Sequence, residues 1–138
     1  MTPPTPAPSP EHCTLTVLYV EDDAVNVALM RYVMELRPQV QLEVATDGLA
    51  GVEAATRLLP DLILLDMDLP LLSGMGVLGR LKADPRTAHI PCVAVSANSQ
   101  ATDIQAAMDG GVRAYMVKPF PLANMLALVD SLLPLGAA

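Results

Sequence analysis

Tryptophan is absent from this 138-residue chain, and phenylalanine occurs once, at Phe120. Any core must therefore be aliphatic, and the 52% of apolar residues supply the material for one. A chain of this length fits one domain and buries about two-thirds of its unfolded surface. No apolar run approaches the roughly 18 residues of a membrane span, so no membrane association is expected. The first dozen residues lack both the basic and the apolar segment of a secretory signal, and the expected location is cytoplasmic. Cysteine is scarce: Cys13 and Cys92 show neither metal spacing nor a disulfide framework, and Cys92 reads as a small core residue. Cations are outnumbered, 8 Lys and Arg against 15 Asp and Glu, for a net charge of -7 with no basic cluster. Direct nucleic-acid binding is thereby disfavoured, since that affinity comes mainly from neutralising phosphates. His12 and His89 have no partner pattern and are read as bystanders.

What is present begins with proline. Pro3, Pro4, Pro6, Pro8 and Pro10 sit among small polar residues. Such a segment has too little apolar surface to offset the entropy of ordering. Residues 1–13 are read as a disordered tail, 14–133 as one domain and 134–138 as a short second tail. Within the domain, strand-like and helix-like patterns alternate. Strands are expected near Leu15–Val20, Gln41–Ala45, Leu62–Asp66, Cys92–Ser96 and Ala114–Val117. Helices are expected near Ala24–Leu36, Leu49–Leu59, Met75–Lys82, Thr102–Asp109 and Leu122–Leu133. Pro38 and Pro60 stop the first two helices, and Gly110-Gly111 suits a left-handed cap on the fourth. Leu122, Met125, Leu126, Val129 and Leu133 form a core stripe on the last helix. Five strand–helix units imply an α/β fold, a parallel sheet covered on both faces, with the apolar third strand central and the second at an edge.

Polar residues close these apolar runs in a pattern that carries chemistry. Val17-Leu18-Tyr19-Val20 runs into Glu21-Asp22-Asp23, Leu62-Ile63-Leu64-Leu65 into Asp66, Val93-Ala94-Val95 into Ser96, and Tyr115-Met116-Val117 into Lys118. In a parallel sheet these ends gather on one rim, where open α/β folds bind ligands. Clustered carboxylates repel one another unless a cation joins them. Mg²⁺, or Mn²⁺ in its place, suits such a site, taking one or two carboxylates plus phosphate oxygens. A carboxylate can attack phosphorus to give an acyl phosphate, whose equatorial oxygens the metal, Lys118 and Ser96 would neutralise and orient. Each residue alone has a plainer role as turn former, helix cap or surface charge. Four such residues in order at successive strand ends are specific where the members are not.

From about Thr14 to Leu133 the chain resembles a receiver domain of a bacterial two-component response regulator. The resemblance rests on Glu21-Asp22, on Asp66 followed by Leu69-Pro70 and Ser73-Gly74, on Ser96-Ala97, and on Lys118-Pro119-Phe120. It implies a doubly wound, flavodoxin-like sheet of order 2-1-3-4-5. It implies that Asp66 is the phosphoacceptor for a sensor histidine kinase or a histidine phosphotransfer protein. Asp22 and Asp66 would bind the metal, Glu21 through a bound water, with the backbone carbonyl of Asp68 completing the protein ligands. Ser96 would contact the phosphoryl oxygens, Lys118 would pair with them, and Tyr115 would be the switch aromatic that turns inward as Ser96 moves. The Lys118–Pro119 bond resembles the family's cis peptide. Asp68 is unusual, placing an acidic side chain beside the site of the phosphoryl group.

After the last helix only Pro134 to Ala138 remain, so the expected output is a surface of the domain itself. By resemblance this is the face of the fourth helix, fifth strand and fifth helix, where Ile104, Ala107 and Met108 offer apolar material. The expected role is a free-standing switch acting on a protein partner, not an enzyme with turnover. A relay role and a homodimer formed on phosphorylation stay open, as does an origin in a hybrid kinase. Asp66-Met67-Asp68 also suits a haloacid-dehalogenase-like aspartyl phosphatase, although the motif there lies on the first strand. A pseudo-receiver that is never phosphorylated is the third reading.

Overall fold

The structure, a computed structural model, describes residues 14–69 and 71–134. The expected tail, with Cys13 and His12, and Pro70 of the quoted motif lie outside the described residues. The elements in order are β1 (Leu15–Val20), α1 (Ala24–Glu35), β2 (Val40–Ala45), α2 (Gly48–Leu58), β3 (Leu62–Asp66), α3 (Gly74–Ala83), β4 (Cys92–Ser96), α4 (Ala101–Asp109), β5 (Ala114–Val117) and α5 (Leu122–Leu132). The five strands form one parallel sheet in the order β2-β1-β3-β4-β5.

Period-2 alternation divides the sheet's side chains between two cores. Leu18, Val20, Ile63, Leu65 and Ala94 point to one face, where Ala54, Ala55, Val77, Leu78 and Leu81 of α2 and α3 cover them. Val17, Tyr19, Leu62, Leu64, Val93 and Val95 point to the other, against Met30, Val33 and Met34 of α1 and Met125 and Val129 of α5. All five residues of β3 and of β4 are buried, as covering on both faces requires. Cys92 is 1% exposed and fills core space.

Register then sets the rim. Val20 lies beside Leu65, Asp66 beside Val95 and Ser96 beside Val117. The residues that follow β1 and β5 therefore reach the level of Asp66. Caps hold the helices that start there: Asp23 accepts from Val25 and Asn26 at α1, Asp47 from Ala50 at α2, and Ser73 from Gly76 at α3.

Several expectations shift. β2 begins one residue early, at Val40, which pairs with Leu15. The left-handed glycine after α4 is Gly111 (φ 107°), whereas Gly110 stays right-handed at φ -74°. Leu59 is not helical: it caps α2 in the left-handed region (φ 48°). Leu122 is 41% exposed and, as the first residue of α5, does not join the α5 core stripe.

Candidate functional site

Glu21, Asp22 and Asp66 meet at the carboxyl edge of β1 and β3, with carboxylate oxygens that lie within 4.8 Å of one another. The acidic run after β1 divides its labour. Asp23 turns back to cap α1, Asp22 is exposed, and Glu21 is buried at 1% exposure. Glu21 is firmly held: Oε1 accepts from the Tyr19 hydroxyl at 2.9 Å, the Asn26 amide at 3.3 Å and Lys118 Nζ at 3.0 Å.

Asp66 is 2% exposed. Its Oδ1 accepts from the Asp68 backbone N–H at 3.0 Å and faces Lys118 Nζ at 3.5 Å. Both of these contacts fall on one oxygen. Burial, then the neighbouring Glu21, push the Asp66 carboxyl up to about 6. Burial also pushes Glu21 up, but its contacts with Asp66, Lys118 and Tyr19 outweigh that and bring it below the usual range. Burial would lower Lys118, yet Glu21 and Asp66 raise it. The Tyr19 phenol is raised by burial and by Glu21 and stays neutral.

Lys118 precedes a cis peptide to Pro119, and its amide donates to the Ser96 carbonyl. Lys118, one residue past β5, reaches inward to Glu21 and Asp66 and is no solvated surface charge. Ser96 is 1% exposed. Its hydroxyl donates to Asp68 Oδ2 at 3.4 Å and accepts from the Asn98 amide at 3.0 Å. The Tyr115 hydroxyl donates to the Asn98 carbonyl at 2.9 Å, so the ring lies against the loop after β4.

The structure therefore brings together Glu21, Asp22, Asp66 and Lys118, with Ser96 joined through Asp68 and Tyr115 through Asn98. Tyr19 and Asn26, which hold Glu21, were not legible as site residues. Tyr19 precedes Glu21 by two and so shares its side of the strand, a signal that was there to find. Asn26 follows Glu21 by five across a turn, a spacing that belongs to no regular period.

The donors fit a small divalent cation: all are hard oxygens, and two of the three carboxylates are buried with a single lysine to balance them.

Comparisons with known proteins place the chain in a family. Residues 17–130 match the family described as the response regulator receiver domain. The transcriptional regulator RpaA of Synechocystis is 38% identical over 117 residues, which cover 85% of this chain and 48% of RpaA. The chain thus spans about half the length of that relative. The polar-differentiation response regulator DivK of Brucella ovis is 34% identical over 120 residues, covering 87% of this chain and 97% of DivK. Among solved structures, the receiver domain of the Pseudomonas aeruginosa sensor histidine kinase PA1611 superposes with a TM-score of 0.79 at 26% identity. It covers 87% of this chain and 98% of that one, and it holds a magnesium ion in its active-site cleft. Vibrio cholerae CheY4, at 19% identity and a TM-score of 0.80 over 88% and 100% of the two chains, shares the fold. With Asp66 at the end of the third strand beside the acidic pair that follows the first, and a family match across most of its length, this chain belongs to the response regulator receiver domains.

Proposed function

We propose that this receiver accepts one phosphoryl group on Asp66 in a Mg²⁺-dependent reaction, which Mn²⁺ also supports, from a sensor histidine kinase or a histidine phosphotransfer protein. The observation that carries this reading is the juxtaposition of a buried carboxylate with a second buried acid, an exposed acid and a lysine. Glu21, Asp22 and Asp66 would hold the cation, Glu21 through a water, with the backbone carbonyl of Asp68 as a further ligand. When bound, the cation neutralises phosphoryl oxygens and the excess negative charge of the pocket.

The rest falls to the chain. A carboxylate oxygen of Asp66 attacks phosphorus; the new O–P bond forms as the P–N bond of the donor histidine breaks, and the imidazole leaves with its electron pair and gains a proton. The ammonium of Lys118 leaves Glu21 and Asp66 for the phosphoryl oxygens, where it offsets developing charge. Ser96 donates its hydroxyl proton to another of these oxygens. Tyr115, attached to the same loop, follows Ser96. Exposed Val25, Leu29 and Leu71 at 67%, 54% and 78%, on α1 and the loop after Asp66, favour a protein donor that covers them.

The output is then a protein partner that reads α4, β5 and α5, since a bias of a few kcal/mol between two conformations is enough for a switch. DivK, matched along 97% of its length, supports a receiver that acts by itself. No described helix is long and apolar enough to cross a membrane, and we place the protein in the cytoplasm.

Stoichiometry tests the reading. With Mg²⁺, acetyl phosphate should load one phosphoryl group per chain, while a small phosphomonoester is not turned over. Catalytic release of phosphate from the monoester would instead support the phosphatase reading. No loading at all would support a pseudo-receiver. Light scattering on the loaded samples reports any homodimer.

A further inference from the structure

The Ser96 hydroxyl is occupied on both sides before any phosphoryl group arrives. It gives its single proton to Asp68 Oδ2 at 3.4 Å and accepts from the Asn98 amide at 3.0 Å. Asp68 in turn touches the acceptor, through the N–H that it donates to Asp66 Oδ1 at 3.0 Å. One residue thus grips both the phosphoacceptor and the hydroxyl that must reach a phosphoryl group.

Beyond Ser96 the connection continues without a gap. Asn98 uses every polar group it has. Its carbonyl accepts from the Tyr115 hydroxyl at 2.9 Å, Oδ1 accepts from the Gln100 amide at 2.8 Å, and Nδ2 donates to Asp103 Oδ2 at 2.6 Å. Gln100 is the N-cap of α4 and makes no side-chain capping bond, so Asn98 ties that helix end to the loop. Of the nine residues of α4 only Ala107 is buried, which makes the helix weakly anchored and easy to shift.

We propose that Asp68 is a positioning residue whose carboxylate holds Ser96 in a resting latch, in competition with a phosphoryl group on Asp66, and that Asn98 carries the latch's release to α4 and Tyr115. This inference rests on the phosphoacceptor reading of Asp66. One proton cannot serve the Asp68 carboxylate and a phosphoryl oxygen together. At 3.4 Å the resting bond is long for a hydroxyl on a carboxylate, so it exchanges readily for a shorter bond to a phosphoryl oxygen. After that exchange Asp68 loses its donor and faces a like charge, and both effects oppose the phosphorylated state. Asp68 therefore sets the threshold of the switch, and Asn98 its transmission.

Beryllofluoride with saturating Mg²⁺, followed by heteronuclear NMR, is the test. Asp68→Ala should bind beryllofluoride about threefold to tenfold tighter than wild type, the size of one modest hydrogen bond. Asp68→Asn, which keeps an acceptor but sheds the charge, should fall between. In a Ser96→Ala background the gain from Asp68→Ala should shrink, because the latch is already open. Before any ligand is added, the Asp68→Ala amide signals of Ser96 and Asn98 should already lie part-way to their beryllofluoride-bound positions. Asn98→Ala should bind beryllofluoride within about twofold of wild type while the α4 amides stop responding to it. Equal affinities across the Asp68 variants, an undiminished gain without the Ser96 hydroxyl, or an α4 response that persists in Asn98→Ala would overturn the proposal. Failure of wild type to bind beryllofluoride would instead remove the phosphoacceptor reading beneath it.

Discussion

Asp66 carries a proton more readily in the folded chain than in the unfolded one. Its pKa rises from 3.8 to about 6, so between those values the native state holds the extra proton and metal-free stability falls as pH climbs. Glu21 acts with the opposite sign. Its folded pKa lies below 4.5, so it adds stability above that value, lost as pH falls further. Thermal melts of the metal-free protein should therefore show a maximum near the foot of the Asp66 window, with stability declining toward neutrality by on the order of 2 kcal/mol. Asp66→Asn should flatten that decline, melt higher than wild type near neutral pH without metal, and gain nothing from Mg²⁺. Equal pH slopes in the two proteins would contradict this account of the pocket. Tyr19 offers a second measurement at this scale. Tyr19→Phe removes one of three donors on Glu21 Oε1, and should cost about 1 kcal/mol in urea melts while leaving phosphoryl uptake in place.

Tight backbone contacts between elements hold the acceptor loop. A Cβ on Gly74, the first residue of α3, would come within 2.5 Å of Met67 Cα and 3.0 Å of the Asp66 carbonyl. Gly74→Ala must displace either α3 or the segment that bears Asp66 and Asp68. It should destabilise by about 1 to 3 kcal/mol and slow phosphoryl uptake, both readable on one purified sample; wild-type rates would sink the idea. In β4, burial pushes the Cys92 thiol up to about 12. Native Cys92 should resist alkylation at mildly alkaline pH and label only on unfolding, as peptide mapping would show. The elements themselves were legible because buried parallel strands read as apolar runs ended by polar residues, and Leu62–Asp66 and Cys92–Ser96 stand where they were expected. Helix ends were less so. Asp47, Ser73 and Gln100 each open a helix one residue earlier than apolar periodicity suggests, since a helix begins at its cap rather than at its first core residue. The Asp68–Ser96 bond joins residues 28 positions apart. No spacing rule reaches that far, and only the charge of Asp68 marked it out.

For the molecule as a whole, one rim gathers what the chain scatters: Glu21 and Lys118 are 97 positions apart yet 3.0 Å from each other. A parallel sheet does this by topology, which is why the gathering of these residues could be read before their geometry was known. What topology does not convey is the state of the switch, held in side-chain contacts such as those of Asn98. A net charge of -7 works against direct contact with the phosphates of nucleic acid. The central claim is that the buried carboxylate of residue 66 receives phosphate. Incubation with Mg²⁺ and acetyl phosphate, then intact mass and peptide mapping after borohydride reduction, addresses it most directly. The expected result is one phosphoryl group on wild type, located at Asp66, lost when Mg²⁺ is chelated beforehand and absent from Asp66→Ala. A wild-type chain that stays unmodified, or an adduct that persists in Asp66→Ala, would contradict it.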